Sequence, residues 1–185
     1  MNKFVRLHYY DCRGEAEVLR LLFKAANIKF EDKRYTEEEW ETAKSAFKIK
    51  ELPLVENYDG RLLTEPSAIC RFYSLNRGLL GSSDWEYYMI EKCIEHVNDH
   101  HEHALSSSLK TLNKVAEVNK NGFLVGKTAS LADIYLLVLL DFAEMRAAKE
   151  HFTRFKKLHE VKKKLLNTFP EINTWITTMR PITDN

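Results

Sequence analysis

The chain has 185 residues, which is enough for one large domain or two small domains that share a core. Hydrophobic residues make up 44% of it and charged residues 30%, a balance that excludes a disordered or a fibrous protein. The formal net charge of +1 argues against a protein that binds nucleic acid or acidic membranes, because such proteins carry a basic excess.

The three cysteines do not form a Cys-x-x-Cys pair, so we expect free thiols in a reducing compartment. The sequence also lacks an apolar run of the length that a signal peptide or a membrane span needs. We therefore expect a cytoplasmic protein that has neither a membrane nor a nucleic acid as its partner.

Strand and helix patterns alternate in the first part of the chain. Residues 4–8 predict a short strand, and residues 15–27 predict a helix with apolar side chains on one face. Residues 28–34 predict a second strand. Thr36 and the three glutamates after it favour a short helix that carries Trp40.

A hairpin and a third helix complete this first part. Residues 52–64 contain Asp59-Gly60 between two apolar runs, which is a hairpin signal, and a helix is predicted over about residues 67–77. We therefore predict an α/β domain over residues 1–77. Glycines and serines make residues 78–83 the predicted linker.

The remaining residues, 84–185, predict an all-helical domain. Apolar side chains recur at helical spacing from residue 84 to about residue 119, which indicates two long helices. A buried helix over residues 134–140 follows a predicted capping box. In this box the Ser130 hydroxyl accepts from the Asp133 amide, and the Asp133 carboxylate reaches back.

Three short segments carry a family resemblance. They are a strand that ends at Tyr9 before Arg13-Gly14, the Leu52-Pro53 step, and the helix start at Ala68-Ile69. With them the chain resembles, nearly end to end, the sigma class of glutathione transferases, which includes the prostaglandin D synthases. The resemblance implies a thioredoxin-like N-terminal domain, an all-α C-terminal domain, a homodimer, and glutathione as co-substrate if the protein is active.

The resemblance implies that Tyr9 is the catalytic residue. A glutathione thiol has a pKa of roughly 8.5, so a tyrosyl hydroxyl that donates to the sulfur stabilises the thiolate and lowers that pKa. The alternative is an ordinary strand aromatic, since Tyr10 stands beside it. The spacing to Arg13-Gly14 favours Tyr9.

The resemblance also implies the residues that hold glutathione. Pro53 would be cis, so that Leu52 offers its backbone groups to the cysteinyl unit, while Trp40 and Lys44 hold the glycyl carboxylate. Asp99 matches an acidic residue that a neighbouring subunit directs to the ligand's amine. The alternatives are an ordinary edge-strand proline, a packed tryptophan and a solvated lysine.

The sequence departs from the family at the γ-glutamyl end of the site. Glu65 and Pro66 stand where the family has glutamine and serine at a helix N-terminus, and proline offers neither a hydroxyl nor an N–H. Ser67 replaces that serine only if the helix start slips by one residue. Glu15 and Glu51 add further negative charge to a site for a ligand with two carboxylates.

The sequence also contains a histidine pair that could bind zinc. His96 and His100 are four residues apart near Asp99, a spacing that chelates zinc on a helix. A second cluster of ligands is missing from the sequence, so we favour a solvated or inter-subunit helix face and expect no metal.

Two functions from different classes remain. We favour a relative with weak or lost glutathione binding that serves as a homodimeric binding or regulatory protein, with a small hydrophobic ligand or a protein as its partner. The alternative is an active glutathione transferase or prostaglandin isomerase that uses Tyr9.

Overall fold

The computed structural model describes residues 4–98, 105–146 and 154–181. By its internal contacts the chain divides into an N-terminal unit, Met1–Tyr73 with Glu171–Asn185, and a helical unit, Ser74–Pro170. The last segment therefore groups with the N-terminal unit, although the sequence assigned it to the helical domain. The predicted domain boundaries, with a linker over residues 78–83, stay a prediction.

The N-terminal unit is built on a four-stranded mixed sheet in the order β2-β1-β3-β4. Strand β1 (Val5–Tyr10) pairs in parallel with β2 (Phe30–Tyr35) and antiparallel with β3 (Leu54–Glu56). The hairpin is completed by β4 (Leu62–Leu63), which pairs antiparallel with β3. The predicted α/β fold of this half is confirmed.

Three helices accompany the sheet, α1 (Glu17–Ala25), α2 (Glu37–Ala43) and α3 (Pro66–Ser74). The α2 helix starts where the sequence predicted, because Thr36 and Glu39 form a reciprocal cap. The Glu39 N–H donates to the Thr36 hydroxyl at 3.1 Å, and the Thr36 N–H donates to the Glu39 carboxylate at 2.8 Å.

The helical unit confirms the predicted all-α half. In the parts of it that the structure describes, the helices are α4 (Asp84–Asn98), α5 (Leu105–Val118), α6 (Leu131–Arg146) and α7 (Lys156–Thr168). A short α8 (Pro170–Thr174) and a turn of π-helix (Trp175–Met179) end the described chain. Over the described ranges, every helix is too short or too polar to cross a membrane.

The cap of α6 confirms one half of the predicted capping box, because the Ser130 N–H donates to the Asp133 carboxylate at 2.8 Å. The Ser130 hydroxyl donates to the Asp133 carboxylate at 2.8 Å, and the Asp133 amide donates to the Ser130 carbonyl at 3.1 Å, so the predicted acceptor role of the hydroxyl is wrong. The second carboxylate oxygen accepts from the Leu124 N–H at 2.7 Å. Burial raises the pKa of Asp133 to about 6.

Candidate active site

The Tyr9 hydroxyl lies near the end of β1, beside the loop that leads into α1. Its oxygen accepts a hydrogen bond from the Glu15 backbone N–H at 3.3 Å, which leaves the O–H free to donate to another group. Burial raises the pKa of Tyr9, and the bond from Glu15 opposes that effect. The side chain is therefore a protonated donor at neutral pH, which suits stabilising a thiolate better than removing a proton.

Tyr10 has different surroundings from Tyr9. Successive side chains of a strand point to opposite faces, and Tyr10 packs against a cluster of Tyr35, Trp40 and Leu54. The Tyr9 ring instead has the Arg20 guanidinium carbon 5.9 Å from its centroid. Tyr10 is therefore half-buried against this cluster, which supports Tyr9 as the site residue.

Gly14 brings the backbone unusually close to the Tyr9 hydroxyl. Its φ of +41° lies in the left-handed region, and a Cβ added there would be 2.6 Å from the Tyr9 oxygen. Glycine is therefore required at this position by both the conformation and the space.

We expect Gly14→Ala to lower the free energy of unfolding by about 2–4 kcal/mol, since it adds a steric overlap to the left-handed strain. The matched control is Gly78→Ala, where φ is +69° and the added Cβ meets open space. That control loses about 1 kcal/mol from backbone strain alone. Urea denaturation measures both, and equal losses would show that Gly14 and Tyr9 do not interact.

The Leu52–Pro53 peptide bond is cis, as the sequence predicted. Pro53 is buried, and Leu52 packs at the edge of the cluster of Tyr35, Trp40 and Leu54. Pairing of β3 with β1 begins at Leu54, and within the described residues the Leu52 backbone makes no hydrogen bond. Its N–H and C=O are therefore open to an extended ligand.

Trp40 and Lys44 lie on and just after α2. The Trp40 ring is 3% exposed and packs with its centroid 5.3 Å from that of Tyr35 and 5.7 Å from that of Phe47. Lys44 forms an ion pair with Glu41, one turn earlier. A ligand carboxylate at Lys44 therefore competes with Glu41, an exposed partner that holds the lysine weakly.

Glu65, Pro66 and Ser67 lie at the start of α3. The Ile69 N–H donates to the Glu65 carbonyl at 3.0 Å, so Glu65 precedes the helix and Pro66 takes its first position. Ser67 lies at the second position. Glu65 has a φ of +65°, a strained conformation for a residue with a side chain.

The other residues that the sequence analysis named are exposed glutamates or lie outside the described part of the chain. Glu15, Glu51 and Glu65 are all exposed, so each adds charge that solvent screens. Asp99 and His100 lie outside the described residues. Over the described ranges, no three His, Cys, Asp or Glu side chains come together as a metal site would require.

Sequence reasoning missed Arg20, which organises the loop beside Tyr9. The side chain is fully buried, its Nε lies 3.0 Å from an Asp32 carboxylate oxygen, and its Nη1 donates to the Cys12 and Arg13 carbonyls at 2.8 and 3.1 Å. Nη1 also reaches the buried Glu17 carboxylate at 3.4 Å. An arginine inside an apolar helical run, three residues after a glutamate, was the available signal.

The end of the chain joins the same network. The Trp175 indole N–H donates to Glu17 at 3.1 Å, and Arg34 Nη2 donates to the Met179 carbonyl at 2.8 Å. Burial raises the pKa of Glu17, and the charge of Arg20 opposes that effect. Arg20 is thus a positioning residue that connects the loop, the sheet and the last segment.

Comparisons with known proteins match this chain in both halves. A model of the glutathione S-transferase N-terminal domain matches residues 5–73, and a model of the C-terminal domain of the same proteins matches residues 84–178. A glutathione S-transferase of Anopheles gambiae is 28% identical over 202 residues, with 97% of this chain and 98% of that protein covered.

Two solved structures support the match. The Nu-class glutathione transferase of Haemonchus contortus is 26% identical and superposes with a TM-score of 0.83 over 98% of each chain. The sigma-class enzyme of Fasciola hepatica is also 26% identical, with a TM-score of 0.82 over 94% of this chain and 95% of that one.

Proposed function

Because this chain belongs to the glutathione S-transferase family, we propose that it carries a sigma-type glutathione site whose γ-glutamyl end is altered. Glutathione binding and conjugation are then weak or lost. The protein acts in the cytoplasm as a homodimeric binding or regulatory member of the family, with a small hydrophobic ligand or a protein as its partner.

The observation that carries this proposal is Pro66 at the first position of α3. A helix N-terminus binds a carboxylate through its unpaired N–H groups, and proline removes one of them together with the hydroxyl that a serine would supply. Glu65 adds a negative charge at the same place.

An active enzyme is the second candidate, and the hydrogen bonding of Tyr9 favours it. A hydroxyl that accepts from the Glu15 N–H has its own proton available for the sulfur of glutathione. The thiolate so stabilised would attack an electrophile or open a prostaglandin endoperoxide. Glutathione is the co-substrate in this alternative.

Retention on immobilised glutathione separates the two candidates. We expect the unmodified protein to pass through the column, and its conjugation of an aromatic electrophile to equal that of Tyr9→Phe. Retention with elution by free glutathione, together with loss of activity in Tyr9→Phe, would establish the active enzyme instead.

We propose a homodimer because the family resemblance implies one and because α4 exposes aromatic side chains. This helix exposes Trp85, Tyr87 and Tyr88, and Trp85 is 68% exposed with its ring centroid 5.3 Å from that of Tyr88. Exposed aromatic patches of this kind mark protein interfaces. We expect light scattering at micromolar concentration to give twice the chain mass of 21.7 kDa. A mass of 21.7 kDa would contradict the proposal.

A further inference from the structure

A pocket lies in the helical unit, between α5 and the start of α7. It has a volume of about 390 Å³, and its lining residues are Ser106, Lys110, Asn113, Arg154 and Phe155. The first three are spaced by four and three residues, so they form one stripe along α5. None of these residues belongs to the proposed glutathione site.

The pocket contains two cations, Lys110 and Arg154. Within the described residues, neither Lys110 nor Arg154 has a carboxylate at ion-pair distance. Arg154 Nη2 donates to the Ser106 hydroxyl oxygen at 2.9 Å, and its guanidinium carbon lies 4.8 Å from the Phe155 ring centroid. These contacts hold the guanidinium in place while leaving its other N–H donors for a ligand.

The charged residues of α5, of α7 and of the residues just before α7 are mostly positive, although Lys162 pairs with Asp141 and Glu144. Residues 105–118 and 154–168 together carry eight lysines and arginines but only two glutamates. One of these glutamates, Glu117, accepts from the Asn113 amide at 2.7 Å, and the other, Glu160, pairs with Lys157. The face formed by α5 and α7 therefore attracts anions to the pocket.

We propose that this pocket binds a tetrahedral oxyanion, the phosphate or sulfate group of a small molecule. A guanidinium fork, an ammonium and a hydroxyl together match an anion with three or more acceptor oxygens better than they match a planar carboxylate. Asn113 is not counted among these groups, because its amide nitrogen donates to Glu117 and its side-chain oxygen can only accept. This site is independent of glutathione.

The test is an amide NMR titration of the whole protein with sodium phosphate, sodium sulfate and sodium acetate at constant ionic strength. We expect saturable shifts at Ser106, Lys110 and Phe155 with phosphate or sulfate, and weaker ones with acetate. Phosphate and sulfate differ in charge at pH 7, so their relative affinity shows which group the pocket prefers.

Two variants and a matched control make the test specific. Lys110→Met and Arg154→Met should each weaken phosphate binding about tenfold, while Lys114→Met, one turn along the same helix and outside the pocket, should leave it unchanged. Ser106→Ala removes a hydroxyl without changing charge and should weaken binding by a smaller factor. Equal effects of Lys110→Met and Lys114→Met, or shifts that never saturate, would overturn the proposal.

Discussion

Glutathione is expected to bind the Glu65→Gln, Pro66→Ser double variant about a hundredfold more tightly than it binds the unmodified chain. Serine at the first position of α3 restores a hydroxyl and a backbone N–H for the γ-glutamyl carboxylate. Each charge-assisted hydrogen bond contributes about 1.5–3 kcal/mol, and about 1.4 kcal/mol corresponds to a factor of ten in affinity. Equilibrium dialysis with labelled glutathione measures the difference.

The control for this comparison is Glu51→Gln, which removes an exposed charge but restores no donor. We expect a gain of less than tenfold that disappears in about 1 M salt, whereas the gain of the double variant persists. In the double variant, Tyr9→Phe should then reduce conjugation. A double variant that binds no better than the unmodified protein would show that Pro66 does not limit affinity.

The second large effect is expected at Arg20. Arg20→Met should lower the free energy of unfolding by about 3–5 kcal/mol, because it leaves the Glu17 carboxylate buried without its cation. Asp32 keeps Arg34 as an ion-pair partner at 2.7 Å. Most of the lost stability should therefore come from Glu17. Urea denaturation followed by circular dichroism measures it.

The matched control is Arg6→Met. Arg6 also pairs with two carboxylates, Glu31 and Glu56, but its side chain is 30% exposed, so we expect a loss of no more than about 1 kcal/mol. Similar losses in Arg20→Met and Arg6→Met would show that burial of the network contributes little.

The effect of Arg20→Met on the free energy of unfolding should depend on pH, because the Glu17 carboxyl titrates. Its folded-state pKa is raised above the ordinary 4.5, so the folded protein holds this proton to higher pH than the unfolded chain does. Stability from this group is therefore lost as the pH rises above 4.5. Without Arg20 the pKa rises further, so the deficit of the variant should grow between about pH 4.5 and 7 and shrink on acidification.

Local signals in the sequence predicted the elements of the fold well. The Thr36 cap and the Asp59-Gly60 hairpin both depend on residues within a few positions of each other, and the structure contains both. The start of the first helix was less accurate, because Gly14–Ala16 forms a 3-10 turn before α1. Such a turn has nearly the same residue pattern as a helix.

Contacts between residues far apart in the chain could not be predicted from the sequence. Glu17 and Trp175 are 158 positions apart, and an amphipathic pattern shows which face of a helix is buried but not which unit covers it. The contact between the last segment and α1 could therefore not be predicted. The resemblance supplied the candidate residues of the site, but not that Lys44 is paired with Glu41.

The most direct test of the central claim is a calorimetric titration of the unmodified protein with glutathione at neutral pH and moderate salt. With Pro66 at the start of α3, we expect no saturable heat below millimolar glutathione. A micromolar dissociation constant for the unmodified protein would contradict the altered γ-glutamyl pocket and identify the chain as a glutathione-binding transferase.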